Sequence, residues 1–138
     1  MTAFVLDSSL ALCWCFEDEA TEGTRQLLEH LRTEGAAVPN LWHVEIANVL
    51  GLAERRRRIT AAETAQFIAL LETLEIDVDE ETWSQAFGRI LALARQERLT
   101  AYDAAYLELA MRLGVPLASK DRELCDAAER VGVKAVMA

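Results

Sequence analysis

The sequence predicts a single three-layer α/β domain over residues 1–138, with a central, mostly parallel sheet flanked by helices. Three observations predict it. Apolar runs short enough for buried strands alternate with segments of helical periodicity. Strands separated by helices cannot pair as tight hairpins, so they argue for a parallel sheet with helices on both faces. No repeat, low-complexity tract or linker interrupts the alternation, and 138 residues are enough to bury a core without staples.

Residues Ala3–Leu6 read as the first strand, and the run Phe4-Val5-Leu6 ends on the carboxylate of Asp7. Residues Thr21–Glu34 form an amphipathic helix with Leu27, Leu28 and Leu31 inward. A second short strand, Ala36–Val38, is stopped by Pro39-Asn40. A helix over Leu41–Arg57 follows, and "RITAAE" (Arg58 to Glu63) turns the chain into another from Ala61 to Leu74, a pair that can stand as an arm. Ile76–Val78 is the third strand and Thr82–Gln96 is helical. Thr100 opens a helix that ends at Gly114, Val115–Ala118 is a buried strand, and Asp121–Val131 is a helix closed by Gly132. Val133–Val136 is the last strand.

Composition narrows the function. Hydrophobic residues at 52% and charged residues at 27% are ordinary for a globular protein. No apolar run approaches the roughly 20 residues of a membrane span, and "MTAFVLD" carries no Lys or Arg of a secretory leader, so a cytoplasmic location is expected. Cys13, Cys15 and Cys125 give neither a disulfide framework nor zinc spacing and read as plain buried thiols. Net charge is −9, from 14 Lys and Arg against 23 Asp and Glu. Such a chain binds nucleic acid poorly unless cations cluster locally or a metal inverts the charge of a site.

Four acids lie on apolar stripes. Glu45 shares its helical face with Leu41, Val49 and Leu52; Asp103 with Tyr106, Leu107 and Ala110; Asp121 with Leu124, Cys125 and Ala128. Asp7, where a helix begins at once, faces Leu10, Ala11 and Trp14. Inward carboxylates are paired, protonated or bound to metal. Helix capping competes for three of them. "TAYD" (Thr100 to Asp103) fits a capping box, Asp7 or Ser8 can cap the first helix, and Ser119 the helix of Asp121. "TAAE" (Thr60 to Glu63) has the same form with no chemistry attached. Capping does not explain Glu45, about a turn inside its helix. Four converging carboxylates need a cation, and a hard ion such as Mg²⁺ or Mn²⁺ suits an open all-oxygen site. His30 and His43 lack the spacing of a metal pair, and Asp126 lies off the stripe.

These stretches together resemble the PIN-domain family, and most closely its VapC-type toxin ribonucleases. The resemblance rests on "FVLDSSLAL", "WHVEIANVL", "LTAYDAAYLELA" and "PLASKDREL", in the family's order and spacing across essentially the whole chain. It implies a PIN-like fold and hydrolysis of RNA dependent on Mg²⁺ or Mn²⁺. It further implies homodimerisation and inhibition by a cognate VapB-like antitoxin. The family's acidic quartet falls on Asp7, Glu45, Asp103 and Asp121. Leu124 stands where many relatives carry an aromatic residue.

Within that reading Asp7 and Asp103 hold the principal metal and Glu45 and Asp121 complete the site, while Ser8, Ser119 and Thr100 either orient the acids or cap helices. The run "ERRRR" (Glu54 to Arg58) places four of the 14 cations together, for RNA, for an antitoxin, or as a solvated helix end. Two other enzyme or signalling classes fit less well. A phosphatase with an aspartyl nucleophile needs a second acid where Ser9 stands, and a receiver domain needs a phosphoacceptor closing the middle strand, despite the suggestive Lys120. An RNA-processing nuclease without an antitoxin, and a non-catalytic interaction module, complete the alternatives.

Overall fold

The computed structural model describes residues 2–137, apart from the side chain of Glu17; positions 1 and 138 of the expected domain lie outside the described residues. Five strands form one sheet: β1 (Phe4–Leu6), β2 (Ala36–Pro39), β3 (Ile76–Asp79), β4 (Leu117–Ala118) and β5 (Ala135–Val136). All neighbouring pairs are parallel, in the order β3-β2-β1-β4-β5. β1, β2 and β4 are buried throughout, which is why they read as continuous apolar runs rather than alternating ones. β3 is an edge strand and carries the exposed Asp77 and Val78.

Among the described residues eight α-helices connect and cover the strands: α1 (Ser8–Ala11), α2 (Glu22–Glu34), α3 (Trp42–Arg55), α4 (Ala61–Glu72), α5 (Thr82–Gln85), α6 (Leu91–Glu97), α7 (Ala101–Leu113) and α8 (Arg122–Arg130). Single 3₁₀ turns at Leu12–Trp14 and Glu17–Glu19 carry the chain from α1 toward α2. α7 is the central helix. Every residue from Ala104 to Ala110 is buried, and it packs on β1, β2 and β4. It stops because Gly114 adopts φ 68°, a left-handed conformation that side chains disfavour, and its N–H returns to the Ala110 carbonyl. The expected helix over Thr82–Gln96 is present but not uniform. α5 and α6 are joined by a π-helical segment, Ala86–Ile90, a widening that hydrophobic periodicity does not reveal.

The helical pair α3–α4 stands between β2 and β3 as expected. Both halves of the "TAAE" capping box form at the start of α4: Glu63 N–H donates to Thr60 Oγ1 at 3.1 Å and Thr60 N–H donates to Glu63 Oε1 at 2.9 Å. Arg57, at φ 57°, breaks α3 and lets Arg58 turn back. Its guanidinium reaches Glu19 at 2.6 Å and Asp18 at 3.2 Å and lies 3.9 Å over the Phe16 ring, so this member of "ERRRR" braces the arm against the loop after α1. The buried apolar side chains of β1, β2, β4, α7 and α8 belong to one contiguous core.

Candidate active site

The sheet order reverses at β1. The chain runs outward through β2 and β3, then returns to lay β4 on the other side of β1. In open α/β sheets the crevice beyond the carboxyl ends of two such strands is where ligands bind. Asp7 follows β1 there, and Ser119 follows β4.

Asp7 is only 4% exposed. Ser119 Oγ donates to its Oδ2 at 2.6 Å and Ser9 Oγ donates to the same oxygen at 2.7 Å. Burial pushes the Asp7 carboxyl above its ordinary pKa; the two serines oppose that rise, and the neighbouring charge of Asp121 adds to it. Asp7 occupies the N-cap position of α1 without capping it through its side chain. Its acceptor capacity is directed into the crevice network instead.

Glu45 sits on the first turn of α3, whose N-cap position is Leu41, so it caps nothing. Its Oε1 accepts hydrogen bonds from the buried Tyr106 hydroxyl on α7 and from Ser8 Oγ at 3.2 Å. Burial raises its pKa, the Tyr106 and Ser8 bonds counter the rise, and Asp7 reinforces it.

Asp103 is held in the first turn of α7 because Thr100 Oγ1 accepts its backbone N–H at 3.1 Å. Only that half of the anticipated capping box is present, and the Asp103 carboxyl remains in the crevice. It is pushed up to about 6, first by burial and then by the charges of Asp7, Asp121, Glu45 and Glu123. Asp121 corrects the expectation that Ser119 caps its helix. Asp121 is itself the N-cap of α8, accepting the Leu124 N–H at 3.2 Å, while Ser119 lies two residues too early. Ser119 Oγ instead accepts the Asp121 N–H at 2.9 Å and donates its own hydrogen bond to Asp7.

The four acids named from the sequence therefore lie near one crevice, where Asp103 feels the charge of the other three. Sequence reasoning missed three participants. Ser9 bonds Asp7, Tyr106 bonds Glu45, and Glu123 adds to the field at Asp103. Tyr106 was findable, since a Tyr hydroxyl on the buried face of a helix needs a partner. Ser9 was not, because its role depends on the turn out of β1.

Among the described residues no ion pair involves Asp7, Glu45, Asp103 or Asp121. Nor do three His, Cys, Asp or Glu side chains among them form a group that would hold an ion as placed. Like charges repel, and an ion that keeps several waters does not require its carboxylates in contact with one another. The donor set is all oxygen, uncompensated by Lys or Arg, and gathered at one strand-end crevice. The chemistry of these donors, rather than their spacing as placed, suits a hard divalent cation.

The model of the PIN domain matches residues 4–130. The chain belongs to the PIN-domain family. Its fold is similar to the crystal structure of PAE2754 from Pyrobaculum aerophilum, with a TM-score of 0.72 over 98% of this chain and 90% of that one. Identity in that comparison is 22%, so the likeness speaks for the fold alone. Among curated proteins there is no match. PIN domains are in general metal-dependent nucleases that use divalent ions. The strand order also sets the chain apart from receiver domains, whose order is 2-1-3-4-5.

Proposed function

We propose that this PIN domain is a VapC-like endoribonuclease toxin that hydrolyses RNA phosphodiester bonds at the Asp7, Glu45, Asp103 and Asp121 crevice with Mg²⁺ or Mn²⁺. The observation that carries the reading is the Asp103 carboxyl, raised to about 6 amid three other acids with no basic partner among the described residues. Clustering of this kind destabilises the free protein and is explained by a task. Asp7 and Asp103 are the principal ligands, with Glu45 and Asp121 completing the site directly or through water. A divalent ion held there would supply an activated water as nucleophile and would neutralise charge on the phosphate. The serines and Tyr106 keep Asp7 and Glu45 oriented before substrate arrives.

RNA needs cations as well. Arg55, Arg56 and Arg57 are exposed and, among the described residues, take part in no ion pair, which leaves them for the phosphate backbone or for an acidic patch on the antitoxin. A VapB-like antitoxin that inserts an arginine among the four carboxylates would block the site by charge pairing. A homodimer is supported by Trp83 and Phe87, 76% and 94% exposed after β3, and by Val44, 73% exposed after the neighbouring β2. No helix among the described residues is long and apolar enough to cross a membrane, which agrees with action on RNA in the cytoplasm.

The test is cleavage of a mixed RNA pool by purified, antitoxin-free protein in Mg²⁺ or Mn²⁺, beside Asp103→Asn prepared identically. Metal-dependent cutting by the wild type alone supports the reading. Equal cutting by both proteins removes Asp103 from the chemistry. An RNA-processing nuclease without an antitoxin would use the same crevice, and the absence of a short neighbouring reading frame for a DNA-binding antitoxin would favour it.

A further inference from the structure

We propose that Tyr106 with Ser8, and Ser9 with Ser119, restrict Glu45 and Asp7 to offering one carboxylate oxygen each, and thereby set a preference for small octahedral ions over Ca²⁺. The inference rests on the reading of this crevice as a divalent-ion site and concerns which ion it accepts.

The hydrogen bonds are paired by oxygen, not merely by residue. Both side-chain hydroxyls that reach Asp7 fall on Oδ2, at 2.7 Å and 2.6 Å. Both that reach Glu45, from Tyr106 and from Ser8 at 3.2 Å, fall on Oε1. A carboxylate oxygen has two lone-pair directions, so an oxygen that accepts two O–H bonds has little left for a cation. Asp121 shows the same economy, with Oδ1 committed to the Leu124 N–H. Ca²⁺ takes about 6–8 oxygens, commonly with bidentate carboxylates, whereas Mg²⁺ takes about six at shorter distance and keeps waters. A site in which Asp7 and Glu45 are held to one free oxygen each disfavours the larger ion.

The grip does not relax easily. Tyr106 is 1% exposed on the central helix and Ser119 is wholly buried, so neither hydroxyl can exchange Glu45 or Asp7 for bulk water. Ser9 is itself held, since its Oγ accepts the Lys120 N–H at 3.3 Å. The donors come from α1, α7 and the segment after β4, and Ser119 also binds the Asp121 backbone. Tyr106 is thus a positioning residue that acts through Glu45, and Ser9 one that acts through Asp7.

The experiment is Mn²⁺ binding to the metal-free full chain, followed by the Mn²⁺ electron paramagnetic resonance signal, with Mg²⁺ and Ca²⁺ as competitors. The wild type is expected to lose Mn²⁺ to Mg²⁺ more readily than to Ca²⁺. In Tyr106→Phe the ratio of the two competition constants shifts toward Ca²⁺ by about tenfold, and Ser9→Ala shifts it the same way. A purely structural tyrosine would lower the melting temperature and leave that ratio alone. An unchanged ratio in a folded Tyr106→Phe overturns the proposal; if that variant does not fold, an unchanged ratio in Ser9→Ala overturns it. Absence of Mn²⁺ binding to the wild type overturns the divalent-ion reading itself, a result distinct from binding without discrimination.

Discussion

Asp103 bears most of the electrostatic strain in the crevice. Its carboxyl titrates at about 6 in the folded chain against 3.8 ordinarily, so between those values the folded state binds more protons than the unfolded one. Stability accordingly falls as pH rises through that window. In the absence of divalent ions, Asp103→Asn is expected to melt above the wild type at pH 7.5, with the gap closing below pH 4. Thermal melts across pH in a chelator measure this, and equal melting temperatures at pH 7.5 would contradict it. The four acids were legible because a carboxylate on an apolar helical stripe is visible in one dimension. Their donors were legible only in part. Ser8 and Ser119 were among the hydroxyls expected to orient the acids, whereas Ser9 is brought onto Asp7 by the turn out of β1 and Tyr106 onto Glu45 by the packing of α7 beside α3.

Helix beginnings were the most readable part of the elements. Thr21, Thr60 and Thr100 all accept the backbone N–H three residues on. Thr60→Ala removes the side-chain half of a capping box, the acceptor of the Glu63 N–H, and should cost about 1 kcal/mol in urea unfolding, leaving Mn²⁺ binding unchanged. A heavier penalty belongs to Arg112 on α7. It forks onto Asp79 at the end of β3, at 2.9 and 2.8 Å, and also binds the nearly buried Glu108 at 2.9 Å. Arg112→Ala leaves Glu108 without its counter-charge and should cost about 3 kcal/mol. A loss below about 1 kcal/mol in the same unfolding experiment would place the network with ordinary surface pairs. None of this was visible in the sequence, where Asp79 and Arg112 lie far apart. "ERRRR" was visible but divided, since Arg58 turned inward to Asp18, Glu19 and Phe16.

At the scale of the molecule, the alternation of apolar runs and helical patterns led to the right layers, and a parallel sheet followed from the lack of hairpins. Strand order did not follow, because two-residue strands such as β4 and β5 carry no register signal of their own. An ion that binds only the folded state stabilises it by about 2.7 kcal/mol at a hundredfold excess over its dissociation constant. Mn²⁺ should therefore raise the wild-type melting temperature by several degrees and leave Asp103→Asn nearly unmoved. Differential scanning fluorimetry with and without chelator decides the matter. Trp83→Ser combined with Phe87→Ser should convert a dimer to a monomer in sedimentation velocity without lowering the melting temperature of the isolated chain. Retention of the dimer would move the interface elsewhere.

The π-helical segment Ala86–Ile90 has a consequence in the coding sequence. It holds one residue more than an α-helix of the same length would, so Trp83 before it and Ile90 and Leu93 after it are out of step by about 100°. Deleting the single codon of Gly88 would close the widening and rotate the exposed aromatic side of the helix relative to its buried side. Sequences one residue shorter at this point would then present a different surface after β3 while keeping β1, β4 and the acids between them intact. A length change of one, rather than any substitution, is the smallest heritable step by which such chains could acquire or lose a partner.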